Sequence, residues 1–215
     1  MTPNREDYLK LILELGGDIQ KINNKQIVEG LDVSPASVSE MLSKLVKEDL
    51  VAHTPYQGVQ LTEKGLRSAS SLIRKHRLWE VFLVEKLNYT FNDVHEEAEV
   101  LEHVTSDNLA NRLESFLDYP EYCPHGGKIP QFQENLHEAK RKTLIDYPVG
   151  TKIRIARMLD EKDLLDYLVS LDLKLQEEFI IVDIAPYEGP ITLENQEKKI
   201  LLGHKAASTI FVEEV

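Results

Sequence analysis

One cysteine, Cys123, stands in 215 residues, which excludes an intrachain disulfide and fits a reducing compartment. Long apolar runs are missing as well; none reaches the roughly 20 residues that a membrane-spanning helix needs. The opening residues, MTPNREDYLK, enter a charged amphipathic pattern directly, without the form of a signal or transit peptide. These absences lead to the expectation of a cytoplasmic protein with no membrane partner. H-E-x-x-H, a Ser nucleophile elbow and a phosphate-binding Gly loop are absent too, so no enzymatic activity is expected. Internal repeats and low-complexity segments are lacking.

What is present is an uneven charge. The formal net charge is −12. Residues 1–77 carry 11 Lys and Arg against 10 Asp and Glu, a net of +1, and the remainder carries 14 against 27, or −13. A near-neutral first third on an acidic remainder is compatible with DNA contact made by the first part alone. Hydrophobic residues at 42% and charged residues at 29% are those of a globular chain with real cores.

Along that first third, residues 3–15 read as a helix opened by Pro3, with Tyr8, Leu9, Ile12 and Leu13 at helical spacing and Gly16-Gly17 as its stop. Asn24 is the expected cap of a short second helix that ends near Gly30. The hinge Asp32-Val33-Ser34 follows, with Ser34 as N-cap and Pro35 as first helical residue of a helix to residue 48. Val38, Met41, Leu42 and Leu45 form its buried stripe. Short helix, tight turn and second helix make a helix-turn-helix. Two β runs around Thr54-Pro55-Tyr56-Gln57-Gly58 then read as a wing. The outward face of the 35–48 helix carries Ser37, Glu40, Lys44 and Lys47 with Ser39 beside them, and Lys25, His53 and Tyr56 flank it. Small hydroxyl residues let a helix sit deep in a major groove, and lysines reach phosphates. Such a module is expected to bind double-stranded operator DNA as a homodimer.

A long helix capped by Thr62 follows, then two helices over residues 93–117, the second from Ser106-Asp107. The Pro/Gly-rich loop LDYPEYCPHGGKIP and a charged, linker-like stretch from residue 130 to about 147 lead to short β runs around one helix at 161–170. The fold class expected is mainly α with a small β domain: 1–70 winged helix-turn-helix, 71–140 helical domain, 148–215 β-barrel-like domain.

Glu99, Glu102 and His103 share one helical face. Their own stretch contains no Lys or Arg, and a divalent cation such as Mn²⁺ or Fe²⁺ would relieve their repulsion. On the residues alone, a solvated acidic helix serves as well. His76 and Glu80 lie four apart on the long helix, Cys123 and His125 share the CPHG loop, and His95 lies near the first cluster.

The stretches DVSPASVSEMLSKLVKEDLV, RKHRLWEVFL, HEEAEVLEH, CPHGGKIP and LGHKAASTIFVEE resemble the DtxR/MntR family of metal-dependent repressors over the whole length, most closely its manganese-responsive streptococcal ScaR/SloR type. The resemblance implies a primary site of Asp7, Glu99, Glu102 and His103. It implies an ancillary site of Glu80, Cys123, His125 and Asp160, with His76 and His95 as contributors. It makes 71–140 the metal-binding and dimerisation domain and the last domain SH3-like (FeoA-type), and implies Mn²⁺ as the activating ion and metal-uptake genes as targets. Fe²⁺ or Zn²⁺ remain open at the thiolate-containing site. A winged-helix regulator answering to Fe²⁺ or to a small organic ligand is the alternative, although no small organic substrate is expected.

Overall fold

Pro3 opens helix α1 (Pro3–Glu14) in the computed structural model, which describes residues 2–137 and 142–215. The chain divides into two compact units: residues 1–79, 98–121 and 129–140 form the first, and residues 80–97, 122–128 and 141–215 the second.

In the first unit α1 buries Tyr8, Leu9, Ile12 and Leu13, and with them Lys10. Helix α2 (Asn24–Leu31) is capped by Asn23, not by Asn24. Asn23 Oδ1 accepts from the Gln26 amide at 3.0 Å, while Gln26 Oε1 accepts from the Asn23 amide at 3.1 Å, a reciprocal pair that Asn24 has no Glu or Gln to make. Asp32 turns the chain in the left-handed region at φ 48°. Ser34 then caps α3 (Pro35–Lys47), its Oγ accepting from the Ser37 amide at 3.1 Å.

Val38, Leu42 and Leu45 of α3 join Ile27 and the α1 residues in one core. Strands β1 (Val51–Thr54) and β2 (Gly58–Leu61) pair antiparallel as the wing. Its root is pinned to the chain before α2, for Ile22 and Val59 exchange both backbone hydrogen bonds. Gly58, at φ +115°, is required there, because a Cβ would meet the Ile22 carbonyl at 2.2 Å.

Helix α4 (Glu63–Leu87) gives residues 63–79 to the first unit and the rest to the second. Thr62 Oγ1 accepts from the Gly65 amide at its start. Helices α5 (Val94–Val104) and α6 (Asp107–Phe116) follow, the latter capped by Ser106.

The expected linker is packed at both ends. Leu136 is buried in the first core, its amide donating to Ser70 Oγ at 2.8 Å, and Leu144 is fully buried in the second. Residues 138–141 of that stretch, and with them the expected boundary at 140, lie outside the described residues.

The second unit carries a five-stranded antiparallel sheet in the order β6-β5-β4-β3-β7, formed by β3 (Lys152–Met158), β4 (Glu178–Ile184), β5 (Ile191–Glu194), β6 (Lys199–Leu202) and β7 (Ile210–Glu214). Helix α7 (Lys162–Ser170) lays Leu164, Leu165 and Leu168 on a core with Ile153, Phe179, Ile191 and Leu193. Where one helix was expected, the structure adds α8 (His204–Ala207) and a 3₁₀ turn at Leu144–Asp146; neither is long enough to show a period. Among the described residues no helix is long and apolar enough to cross a membrane.

Candidate metal centres and nucleic-acid interface

The side chains expected to meet DNA lie on one module and face solvent. Lys25, Ser34, Pro35, Ser37, Ser39, Glu40, Lys44, Lys47 and His53 are exposed, and Tyr56 stands fully out at the wing tip. Their bonds in the free protein are local. Lys44 pairs with Glu40 at 2.7 Å, Lys25 with Glu29 at 3.6 Å, and Ser39 Oγ donates to the Pro35 carbonyl. The hydrogen bond from Lys44 holds the Glu40 carboxyl below its ordinary pKa. Such exposed pairs are worth little and exchange readily for phosphate contacts.

Asp7, Glu99, Glu102 and His103 meet as the resemblance implies. Each offers one ligand atom, and the four atoms lie within 4.8 Å of one another. α1 brings Asp7, and three consecutive positions of the α5 face bring the others. His103 Nδ1 sits 2.7 Å from Glu6 Oε2. A carboxylate only accepts, so this nitrogen donates and Nε2 turns inward. Nε2 is 3.0 Å from Asp7 Oδ1 and 3.7 Å from Glu102 Oε1. Even so, both of those oxygens are buried and neither accepts a hydrogen bond. Burial first, then the nearby Glu99 and Glu102 charges, raises the Asp7 pKa against the lowering effect of His103 and Lys10. Two under-satisfied carboxylate oxygens beside an inward imidazole nitrogen fit a hard divalent cation.

A lysine also enters this centre. The expectation that nothing local neutralises Glu99 and Glu102 holds for their own helix only: α1 supplies Lys10 from 89 and 92 residues away, its Nζ 2.5 Å from Glu99 Oε1 and 2.9 Å from Glu102 Oε2. His76 Nδ1 completes the ring, 3.2 Å from Nζ and 2.5 Å from Glu102 Oε2. Burial alone would lower the pKa of Lys10, yet the Glu102, Glu14 and Glu99 carboxylates reverse this and raise it above the ordinary lysine value. His76, four residues before Glu80 on α4, thus also faces the first centre's own glutamate.

The second cluster belongs to the second unit. Glu80, Cys123 and His125 each place a ligand atom within 4.8 Å of the others, and all three are buried. Their loop is shaped by Gly126 at φ +81°, where a Cβ would meet the Ala156 carbonyl at 2.3 Å. The Met158 amide donates to the His125 carbonyl, tying the loop to β3.

His125 Nε2 faces the Phe91 carbonyl at 2.7 Å and Nδ1 faces Glu80 Oε1 at 2.8 Å. The carbonyl and the carboxylate are both acceptors, so both nitrogens carry protons. Burial alone would lower the His125 pKa, but the Cys123 and Glu80 hydrogen bonds raise it to about 11. Asp160 Oδ1 lies 3.5 Å from His125 Nδ1, and Asp160 Oδ2 lies 2.7 Å from His95 Nδ1. Asp160 and His95 therefore stand beside this cluster. Its sulfur and imidazole donors are softer than the oxygen-rich first set.

Glu6 and Lys10 are the residues that sequence reasoning missed. Each meets a partner on another helix, 89 to 97 residues away in sequence, and no spacing rule within one helix reports such a partner.

Three family models match successive parts of the chain. Residues 1–59 match "Iron dependent repressor, N-terminal DNA binding domain", residues 62–131 "Iron dependent repressor, metal binding and dimerisation domain", and residues 142–214 the "FeoA domain". The diphtheria toxin repressor of Corynebacterium diphtheriae is 32% identical over 226 residues, covering 100% of this chain and 99% of that protein. Among solved structures, that of the manganese regulator SloR superposes with a TM-score of 0.88 at 46% identity, with 100% of both chains covered. ScaR with bound Zn²⁺ also reaches 0.88, at 43% identity over 99% of this chain and 100% of that one.

Proposed function

The chain belongs to the diphtheria toxin repressor family of metal-dependent transcriptional repressors, and from that premise we propose that Mn²⁺ is its activating ion, held by Asp7, Glu99, Glu102 and His103. The observation that carries this reading is the pair of buried oxygens, Asp7 Oδ1 and Glu102 Oε1, that accept no hydrogen bond while facing His103 Nε2. A divalent ion there supplies the positive charge that both oxygens lack. The three carboxylates favour hard Mn²⁺, and the likeness to manganese regulators points the same way.

Asp7 lies in the segment that matches the DNA-binding model, and Glu99, Glu102 and His103 lie in the segment that matches the metal-binding one. Ligands from both segments make one centre, so metal occupancy favours the arrangement with α1 docked on α5 and steadies α3 for the major groove. The second centre takes Glu80, Cys123, His125 and Asp160, with His95 at its edge. Cys123 makes it the place where Fe²⁺ or Zn²⁺ competes best.

A DNA-binding and a dimerisation domain imply DNA and a second copy as partners. The division into 1–70, 71–140 and 148–215 assigns these tasks in order, the last being the FeoA-type domain. The dimer face is the apolar surface of α5 and α6. Val100 and Val104 sit one turn apart and are 66% and 76% exposed, with Leu109 and Phe116 exposed on α6. Metal-uptake genes are the proposed targets, and the cytoplasm the proposed location.

Asp7→Ala tests the reading. Wild-type protein is expected to retain selected genomic DNA fragments with Mn²⁺ and to release them on chelation, whereas Asp7→Ala fails to retain them at any Mn²⁺ level that saturates wild type. Metal-dependent retention by Asp7→Ala equal to wild type refutes the bridging role.

A further inference from the structure

Glu102 divides its two oxygens between two tasks. Oε1 faces the Asp7–His103 side, and Oε2 faces Lys10 and His76. The Lys10 ammonium therefore stands where His76 Nδ1, Glu99 Oε1 and Glu102 Oε2 converge, at 3.2, 2.5 and 2.9 Å. An imidazole nitrogen and two carboxylate oxygens around one point are themselves a set of metal-ligand donors, and here a covalently tethered cation fills that point.

We propose that Lys10 is the resident counter-cation of this centre: it holds Glu99 and Glu102 in place before any ion arrives, excludes a second ion from their far side, and thereby weakens the hold of the centre on the one ion it takes. Lys10 is a positioning residue in this account, acting on the ion through Glu99 and Glu102, and the inference rests on the assignment of the metal to Asp7, Glu99, Glu102 and His103.

The physical case is one of buried charge. Lys10 is 7% exposed and Glu102 1%. Removing the ammonium leaves two adjacent carboxylates, one fully buried, without their lysine cation and with the His76 imidazole still facing Glu102 Oε2, a state of high cost when no metal is present. A divalent ion restores the missing charge. The repulsion between ammonium and ion that wild type tolerates is gone as well. Both effects make the variant bind metal more tightly than the parent. A lysine that mattered only for packing would weaken the chelated and metal-loaded proteins alike.

The test uses the full chain, Mn²⁺ as probe, calorimetric titration and thermal melts with chelator and with Mn²⁺. His103→Ala identifies which binding step belongs to this centre. Lys10→Met is expected to melt well below wild type when chelated and to recover most of the difference with saturating Mn²⁺. Its His103-dependent affinity is expected to rise by about tenfold or more. Lys10→Arg, which keeps the charge, is expected to follow wild type in the chelated melt. Should Lys10→Met fail to fold in both conditions, Lys10→Gln is read by the same criteria. An equal fall in melting temperature with and without Mn²⁺, or an affinity unchanged or weakened, overturns the proposal. If His103→Ala removes no Mn²⁺ step, the assignment of the centre has failed and the role of Lys10 falls with it, a result distinguishable from failure of Lys10 alone.

Discussion

His125 is doubly hydrogen-bonded to acceptors, and its pKa, raised to about 11 against the lowering effect of burial, is a consequence of Cys123 and Glu80 facing the ring. A metal taking Nδ1 has to displace that proton. Divalent ion binding at this centre is therefore predicted to release a proton near neutral pH. Titrations in two buffers of different ionisation enthalpy read this as a difference in apparent heat, and His125→Ala removes it.

The same shift has a stability sign. The folded-state pKa lies above the unfolded value of roughly 6.5, so the contribution is fully present below that value and is lost as pH rises through about 11. Glu178 carries the opposite sign. Hydrogen bonds from Lys152 and Arg154 lower its pKa to about 2, so its contribution is present above the unfolded carboxylate value and is lost as pH falls through about 2. Glu178→Gln is predicted to melt slightly below wild type at neutral pH, and the gap to close in acid and in high salt; a gap independent of pH contradicts this.

At this scale the sequence was half legible. Glu99, Glu102 and His103 announce themselves by spacing within one helix. Glu6 and Lys10 do not, because their partners are 97, 89 and 92 residues distant.

Elements were more legible than single partners. The α3 boundaries follow from Ser34, Pro35 and the apolar stripe, and α4 from Thr62 and a 25-residue pattern. Local rules failed where two neighbours offered the same chemistry, as with Asn23 and Asn24, and where an element was too short for any period, as with α8. The charged stretch after residue 130 hid Leu136 and Leu144, two single anchors whose burial only the folded cores reveal.

Ser34 belongs to this scale as a cap. Ser34→Ala is predicted to cost about 1 kcal/mol of stability, read by chemical denaturation. DNA affinity should fall further than that loss alone would cause, because the cap residue lies at the end of α3 proposed to enter the groove. A stability loss with unchanged DNA affinity would place Ser34 away from the interface.

For the whole molecule, charge and surface carry the argument. The near-neutral first third exposes Lys25, Lys44 and Lys47, while the remainder is strongly acidic, so DNA affinity should come from phosphate contacts of the first third and fall steeply with salt. The exposed Val100–Val104 face is the one proposed above for a second copy. Val104→Glu is predicted to shift the protein from dimer to monomer in sedimentation at micromolar concentration; a dimer unchanged by that substitution places the interface elsewhere.

The most direct test of the central claim is selection of fragments from the genome that encodes this chain, by gel shift, in three parallel conditions: chelator, Mn²⁺, and Fe²⁺ kept reduced. The account predicts retention with Mn²⁺, release on chelation, and weaker retention with Fe²⁺. Retention that is indifferent to metal would contradict it, leaving a winged-helix protein whose buried Asp7 and Glu102 oxygens serve structure alone.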